Sequence, residues 1–337
     1  MTISRDSSID ILRSFALIGM IVAHCNPSPL IMQLRGFDVP LIVFLSGVSY
    51  LMSASKGSQV RYLSYCWKRV KRLVFPAWIF LCVYYTILFT GLGITGNLSI
   101  NWDEVLHNFT FTTGWYVWII RVFLLIALVA PPVYFVTKRM SVTTFMLLFL
   151  LLLIGYEFVA KINTSDWYYY LTMTIPYILM FAFGTMNDKM NKKHYFIIAL
   201  VSMAIFICYT LYYIKTTGEF QTTQICKYPP LLYYTSYAIA ITSLLWIFRN
   251  PIKNTCGIIR LERILSFIGS HTLWIYFWHI IYLLIIGNRI GNSFILFCCV
   301  LILAVLTDYL QVLIIKWLVK KYDNAKFDKN MTILFLG

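Results

Sequence analysis

The sequence predicts an all-α polytopic membrane protein with about ten transmembrane helices, on the evidence of its composition, its apolar runs and its charge placement. Of the 337 residues, 60% are hydrophobic and 12% are charged, and the mean hydropathy is +0.75. A soluble domain carries about twice that share of charge. At about 20 residues per crossing, the hydrophobic residues suffice for about ten helices. This composition excludes a single soluble core, a secreted disulfide scaffold and a disordered chain.

The predicted spans are ten apolar runs separated by charged or Pro- and Gly-rich segments. They cover residues 9–27, 38–54, 73–93, 114–136, 142–160, 170–186, 195–214, 231–249, 265–288 and 293–317. We therefore predict one transmembrane domain over residues 1–320 and a short cytoplasmic tail over residues 321–337. The first run is not a cleavable signal peptide, because it contains Asp10, Arg13 and His24.

The formal net charge of +15 is explained by topology. Lys and Arg cluster in alternate loops, as in 56–72, 189–193 and 320–329, whereas the intervening loops hold only Arg35, Lys161, Lys215, Lys227 and Arg289. This positive-inside pattern predicts cytoplasmic N- and C-termini and an even number of spans. We expect a multi-pass protein of the cell (inner or plasma) membrane. Clusters confined to loops between apolar runs argue against a nucleic-acid partner. The eight cysteines lack C-x-x-C spacing, so we predict no metal site and no disulfide framework.

The first span carries ionisable residues, which are costly in a membrane unless paired or hydrated. Asp10 and Arg13 are three residues apart and can pair on one helix face. The pair is either functional or a snorkelling ion pair near the cytoplasmic end of the span. His24 follows Arg13 by eleven residues, a rise of about 16 Å and nearly three turns. A cation and an imidazole on one face suit a long ligand with an anionic cytoplasmic end and a reactive outer end. A single His in a span more often forms only an interhelical hydrogen bond.

The ninth span contains His279 at a depth that matches that of His24, because both spans run from the cytoplasmic side outward. We predict that the two imidazoles share a site, one as general base and the other orienting it or holding a carbonyl. His271 lies nearer the cytoplasmic end and is interpreted as interfacial.

Basic residues also precede the third span. Arg69 and Arg72, at i and i+3, can present two guanidinium groups to one anion such as a phosphate. Anchoring to anionic lipid is the alternative interpretation.

Aromatic residues open the fourth span. Trp115, Tyr116 and Trp118 are typical of an outer aromatic belt. Arg121, about one turn deeper, is predicted to face a hydrated cavity.

Together these residues resemble the integral-membrane acyltransferase family 3. The R-x10-H pairing of Arg13 and His24 in a D-x-x-R first span is similar to that family's first helix. Four further segments resemble its motifs "vPlFF-x-x-SG", "RR-x-x-R-x-x-P", "x-W-Y-L-W" and "lG-x-x-S-l-x-i-Y-x-x-H", namely residues 39–47, 69–76, 114–118 and 268–279. The matches follow family order over about residues 5–290. One departure is Phe37-Asp38-Val39-Pro40, where many members have Gly-Val-Asp; this version is closer to the sugar O-acetylase subset.

The resemblance implies transfer of an acyl group, usually acetyl, from cytoplasmic acetyl-CoA to a carbohydrate hydroxyl on the far side of the membrane. Acetyl-CoA is then a donor substrate, and no bound cofactor is expected. The acceptor is expected to be an envelope carbohydrate such as an exopolysaccharide, a capsule, an O-antigen or a lipid-linked sugar. The other expected partner is membrane lipid, and a homo-oligomer is left open.

Carried over by position, His24 is the catalytic histidine, Arg13 belongs to the donor site, and Arg69 and Arg72 are candidates for the CoA phosphates. His24 acts either as the base on the acceptor hydroxyl or as the carrier of an acyl-imidazole. To these residues we add further candidates by function. They are His279 and Asp10 for catalysis, Ser46 for donor binding, and Phe44, Trp115, Tyr116, Arg121 and Tyr276 for the substrate cavity.

Two other classes of protein compete with this interpretation. A secondary transporter or flippase for an anionic or lipid-linked substrate would use the same Arg and His residues for binding and proton relay. Transporters usually contain internal repeats, and the absence of a recognisable repeat here favours the enzyme. A structural membrane subunit would leave Arg13, His24, Arg121 and His279 unexplained.

Overall fold

The computed structural model describes residues 6–54, 62–91, 101–112, 115–160, 162, 166–322 and 324–336. These residues form α-helices and no β-strand, which confirms the all-α prediction. The helices are α1 Ser7–His24, α2 Pro29–Leu34, α3 Asp38–Ala54, α4 Tyr62–Phe89, α5 Trp102–Phe109, α6 Trp118–Thr137, α7 Val142–Val159, α8 Asp166–Thr172, α9 Ile175–Thr185, α10 Lys192–Thr217, α11 Leu232–Ile247, α12 Arg249–Ile258, α13 Glu262–Ser270, α14 Thr272–Ile286, α15 Ser293–Tyr322 and α16 Ala325–Met331. A 3₁₀ turn, Thr223–Cys226, precedes α11, and a π-helix, Thr332–Leu336, follows α16.

In the part of the chain that the structure describes, seven helices are long and apolar enough to cross a membrane, which confirms a polytopic protein. The predicted span 265–288 is not one straight helix, because α13 and α14 meet at His271 with a bend of 87°. If α13 and α14 are counted together as one span, the number of candidate spans rises to eight. The predicted spans 170–186 and 231–249 contain α9 and α11, which have only 11 and 16 residues. Eleven helical residues rise about 16 Å, well short of the membrane's apolar core of about 30 Å.

Local sequence signals explain several helix ends. Asn191 starts α10 with a capping box, in which its side chain accepts from the His194 N–H while the His194 ring accepts from the Asn191 N–H. Gly218 ends α10 in the left-handed conformation, with φ of 82°, which glycine adopts without steric cost. Lys189 donates from Nζ to three carbonyls at the end of α6 and just beyond it, those of Thr137, Lys138 and Met140.

Exposed apolar side chains indicate where lipid covers the helices. On α7, Leu147, Leu151 and Phe158 are each exposed over more than 60% of their surface. An apolar helix with a fully exposed leucine face is costly in water and stable in hydrocarbon.

The chain divides into two compact units, and the first consists of Met1–Met20, Ser28–Val60 and Leu125–Ser266. In it α3 packs along α9, and α10 packs along α11. Gly47 and Gly184 let α3 and α9 approach backbone to backbone, because a Cβ at Gly47 would overlap the Phe181 carbonyl oxygen.

The second unit consists of Ile21–Pro27, Arg61–Leu124 and Phe267–Gly337. Here α14 packs against α15 and α4, and the rings of Phe80 and Phe277 stack with 4.6 Å between centroids. In the predicted tail over residues 321–337, the π-helix packs on α4 and α15.

Candidate active site

Two histidines from distant parts of the sequence meet in the second unit. His24, the last residue of α1, is half-buried, and His279 on α14 is completely buried. The His24 Nδ1 and His279 Nε2 atoms lie 2.9 Å apart, a hydrogen-bond distance. The structure thus brings together the two imidazoles whose matched depth predicted a shared site.

Aromatic rings surround the histidine pair, by which we mean His24 and His279. Tyr116 meets the His24 ring edge-on at 4.8 Å between centroids, and Tyr276 lies 4.8 Å from His279. The Tyr276 hydroxyl donates to the Tyr116 carbonyl oxygen at 2.8 Å, which fixes the two tyrosines to each other. Trp115 packs on Tyr116 at 4.8 Å. Three predicted cavity residues, Trp115, Tyr116 and Tyr276, are therefore part of this site.

One imidazole of the pair donates to the other across the 2.9 Å contact, and the tautomer decides which of the two is the donor. The second nitrogen of the completely buried ring, His279 Nδ1, has no hydrogen-bond partner among the described residues. Imidazole is the side chain whose ordinary pKa suits proton exchange near neutral pH, and the half-buried His24 is the more accessible of the two rings.

The predicted tail and α15 hold the helix that carries His279. Trp274 donates from Nε1 to the Leu334 carbonyl at 2.8 Å, and its ring stacks on Phe335 at 5.6 Å. Gln311 on α15 accepts from Trp278 Nε1 at 2.9 Å and donates to the Phe335 carbonyl at 3.0 Å. These bonds satisfy carbonyls of the π-helix and fix the rotation of α14 one turn from His279.

Asp10 and Arg13 form an ion pair in the first unit, with 3.0 Å between Oδ1 and NH1. Arg13 also donates to the Ser49 hydroxyl at 2.7 Å. Asp10 precedes His24 by about four turns of the same helix, and its described partner is Arg13; its catalytic role stays a prediction.

Two other predicted residues of the first unit make local contacts. Ser46 donates to the Val43 carbonyl in its own helix. Phe44 is completely buried among Phe183, Tyr195 and Trp246, and its described contacts are packing contacts rather than cavity contacts.

The arginines of the second unit lie apart from the described contacts of the histidine pair. Arg69 packs over the Tyr65 ring at 5.3 Å, and Arg72 is exposed. Arg121 is buried and donates to the Phe111 carbonyl at 2.7 Å, at a residue whose φ is 59°. This bond links Arg121 to the segment before α6, and its predicted position at a hydrated cavity stays a prediction.

Sequence reasoning missed two buried polar features. Asp308 on α15 is completely buried, and neither carboxyl oxygen has a hydrogen-bond partner among the described residues. A single carboxyl in the apolar run 293–317 was the signal for it. Arg35, Asp38 and Lys227 are also buried together, although two of them were counted as ordinary loop cations.

A search against family models matches residues 6–309 to a family described as an acyltransferase domain. Neither a curated protein nor a solved structure matches the chain. The family match covers most of the sequence, from the residue before α1 into α15, and includes both histidines. The chain therefore belongs to the integral-membrane acyltransferase family 3 and is a multi-pass membrane acyltransferase.

Proposed function

We propose that this acyltransferase moves an acetyl group from cytoplasmic acetyl-CoA to a hydroxyl of a cell-envelope carbohydrate. The observation that carries the proposal is the hydrogen-bonded histidine pair, because a neutral imidazole held by a second one is suited to general-base catalysis on a hydroxyl. Family membership supports acyl transfer as the reaction, and the resemblance to the sugar O-acetylase subset favours a carbohydrate acceptor.

In the proposed reaction, the acceptor oxygen attacks the thioester carbonyl carbon while its proton passes to Nε2 of His24. The tetrahedral intermediate collapses with cleavage of the C–S bond, and the imidazolium returns the proton to the leaving thiolate. His279 accepts the Nδ1–H bond throughout and stabilises the positive charge on His24. The Tyr116 and Tyr276 rings restrict water around the pair, which strengthens this interaction.

A second route begins with attack of His24 Nε2 on the thioester. It yields an acyl-imidazole that then passes the acyl group to the acceptor hydroxyl. Both routes need the same tautomer of His24, and they differ in whether the protein itself carries the acyl group.

The anionic end of the donor needs cations. Arg13, Arg69 and Arg72 are our candidates, and Ser46 stays a candidate for the donor site. Arg72 is exposed and Arg69 half-exposed, one turn apart on α4, so both side chains can reach a CoA phosphate without a desolvation cost.

The test uses purified protein in proteoliposomes with radiolabelled acetyl-CoA and a carbohydrate extract of the envelope. We expect His24→Ala to lower acetyl transfer by at least about a thousand-fold, since a general base contributes up to about 10⁴-fold. His107→Ala is the matched control, because His107 is exposed and its described hydrogen bond is to Thr112. Label on wild-type protein without acceptor, absent in His24→Ala, would support the acyl-imidazole route.

Transfer that survives in His24→Ala would remove the histidine pair from the chemistry. If acetyl-CoA is neither bound nor consumed by wild-type protein, the acetyl donor is wrong. The transporter alternative would then be tested by counterflow of an anionic sugar.

A further inference from the structure

The first unit contains a buried group of charged and amide side chains between α2, α3 and the 3₁₀ turn. We call Gln33, Arg35, Asp38, Gln224 and Lys227 the cation cluster. Four of them, all but Gln224, are exposed over no more than 7% of their surface. In the predicted topology, both segments that form the cluster face away from the cytoplasm.

The guanidinium of Arg35 is already committed to protein partners. It forms an ion pair with Asp38, donates to Gln224 Oε1 at 2.8 Å and contacts Met32 Sδ at 3.0 Å. Asp38 also accepts from the Val39 N–H at 2.7 Å. Arg35 and Asp38 therefore neutralise each other.

Two buried amide groups of the cluster lack acceptors. Gln33 Oε1 accepts from the Thr223 N–H at 2.8 Å and from its hydroxyl at 3.1 Å. The side-chain oxygens of Gln33 and Gln224 therefore both act as acceptors. The Nε2 groups of the two glutamines remain as donors, and neither has a partner among the described residues.

Lys227 supplies the second cation of the cluster. Its ammonium lies 5.3 Å from the Tyr228 ring centroid. Burial lowers the pKa of Lys227 to about 8, although the Asp38 carboxylate opposes this shift. The acid Glu157 accepts a hydrogen bond from the Leu232 N–H.

With Lys227 protonated, the cluster thus has one excess positive charge, and two of its amide groups have no acceptor among the described residues. Buried water can satisfy the amide groups but does not neutralise an ammonium. An anion with one negative charge and two accepting oxygens satisfies both requirements, and a carboxylate or a phosphodiester has that chemistry.

We propose that the cation cluster binds the single negative charge of an acidic saccharide, a uronic-acid carboxylate or a sugar phosphodiester, on the acyl acceptor. The identification of this ligand as the acyl acceptor rests on the proposed function. The binding of such an anion by the cluster does not depend on it. The predicted topology puts the cluster on the side where acetyl transfer ends.

The binding test needs no turnover. Purified protein in detergent is treated with acetic anhydride at pH 8, and acetylation of Lys227 is measured by mass spectrometry with increasing glucuronate, dimethyl phosphate or glucose. We expect glucuronate or dimethyl phosphate to protect Lys227 at least ten-fold, and glucose to have no effect. Exposed Lys215 is the internal control and should react equally throughout.

A variant pair separates binding from folding. Lys227→Met removes a buried charge, so it should fold with an unchanged or higher Tm and lose the rise in Tm that the effective anion causes in wild type. Lys215→Met should keep that rise. Protection by dimethyl phosphate alone assigns the site to a phosphodiester, and protection by glucuronate alone assigns it to a uronate.

Absence of protection by both anions, or equal protection by glucose, overturns the proposal. Protection in nanodiscs by phosphatidylglycerol alone also overturns it, because the site would then hold a membrane lipid. If acetyl transfer fails but an anion protects Lys227, the proposed function falls and the site stands. If acetyl transfer occurs and no anion protects Lys227, the proposed function stands and the anion site is wrong.

Discussion

The histidine pair and the cation cluster are both buried groups of ionisable side chains, but they differ in charge. His24 and His279 lie 2.9 Å apart among aromatic rings, and neither imidazole has a permanent charge. In the cation cluster, Arg35 and Asp38 form an ion pair, and the charge of a protonated Lys227 remains in excess. An imidazole pair can accept a proton during a reaction and return it, whereas a buried ammonium in excess favours a counter-ion. We therefore propose catalysis at the histidine pair and anion binding at the cation cluster.

The largest expected effect concerns the histidine pair. His279→Leu removes the acceptor for His24 Nδ1, and we expect kcat to fall about a thousand-fold with little change in the KM for acetyl-CoA. His279→Gln, which retains an acceptor oxygen, should lose less. Lys227→Met should instead raise the acceptor KM and leave kcat nearly unchanged. Initial rates against both substrates measure this difference; a kcat effect from Lys227→Met would break the comparison.

The second prediction compares two ion pairs by stability. Asp38→Asn leaves the Arg35 guanidinium buried without its counter-charge, and we expect a loss of about 3 kcal/mol. Asp10→Asn is the matched control, because Arg13 keeps 22% of its side chain exposed and should lose less than about 1 kcal/mol. Reversible unfolding in mixed micelles gives both values. Equal losses would contradict the difference in burial on which the cation cluster depends.

The third prediction concerns the pH dependence of stability. Burial lowers the pKa of Lys227 from 10.5 to about 8 in the folded protein. Between these values the unfolded chain binds more protons, so Lys227 should make the free energy of unfolding rise with pH, by about 3 kcal/mol. The measured quantity is the difference between wild type and Lys227→Met from pH 7.5 to 10.5, which cancels the other titrating groups. A flat difference would mean that Lys227 is not desolvated.

The smallest effect is expected at the helix contact that positions His279. Gln311→Leu removes the bonds to Trp278 and to the Phe335 carbonyl, and we expect a stability loss of about 1 kcal/mol and a few-fold fall in kcat. Gln221→Leu is the control, because Gln221 is a half-buried glutamine of the first unit whose side chain bonds only to nearby residues. Protection of Lys227 by anions should survive Gln311→Leu. An unchanged kcat would show that this contact does not position the histidine.

Much of the molecule could be predicted from the order of residues. Hydropathy located helices in all ten apolar runs, and matched depth in two spans that run the same way indicated that His24 and His279 would meet. The bend at His271 was not predicted, although Gly269, Ser270 and His271 interrupt the apolar run at this point. The catalytic and donor-binding roles stay predictions.

Three buried cations show what the order of residues does not give. Arg121 donates to the Phe111 carbonyl, and its predicted position at a hydrated cavity stays a prediction. Arg35 and Lys227 were counted as loop cations, and the structure shows that both are buried. The cost of a buried charge was anticipated for Arg121, because it lies in an apolar run, but not for the two loop residues.

Amino-acid composition and the spacing of apolar runs were sufficient to specify a helical membrane protein and to mark its exceptional polar residues. These properties follow from the sequence because partition into a membrane depends on the residues within each helix. The partner of each buried polar group is decided by tertiary structure: His24 and His279 are 255 positions apart, and Gln33 meets Thr223 across 190 positions. Hydrogen bonds and ion pairs are short and directional, so only the packing of helices determines which side chains come close enough to form them.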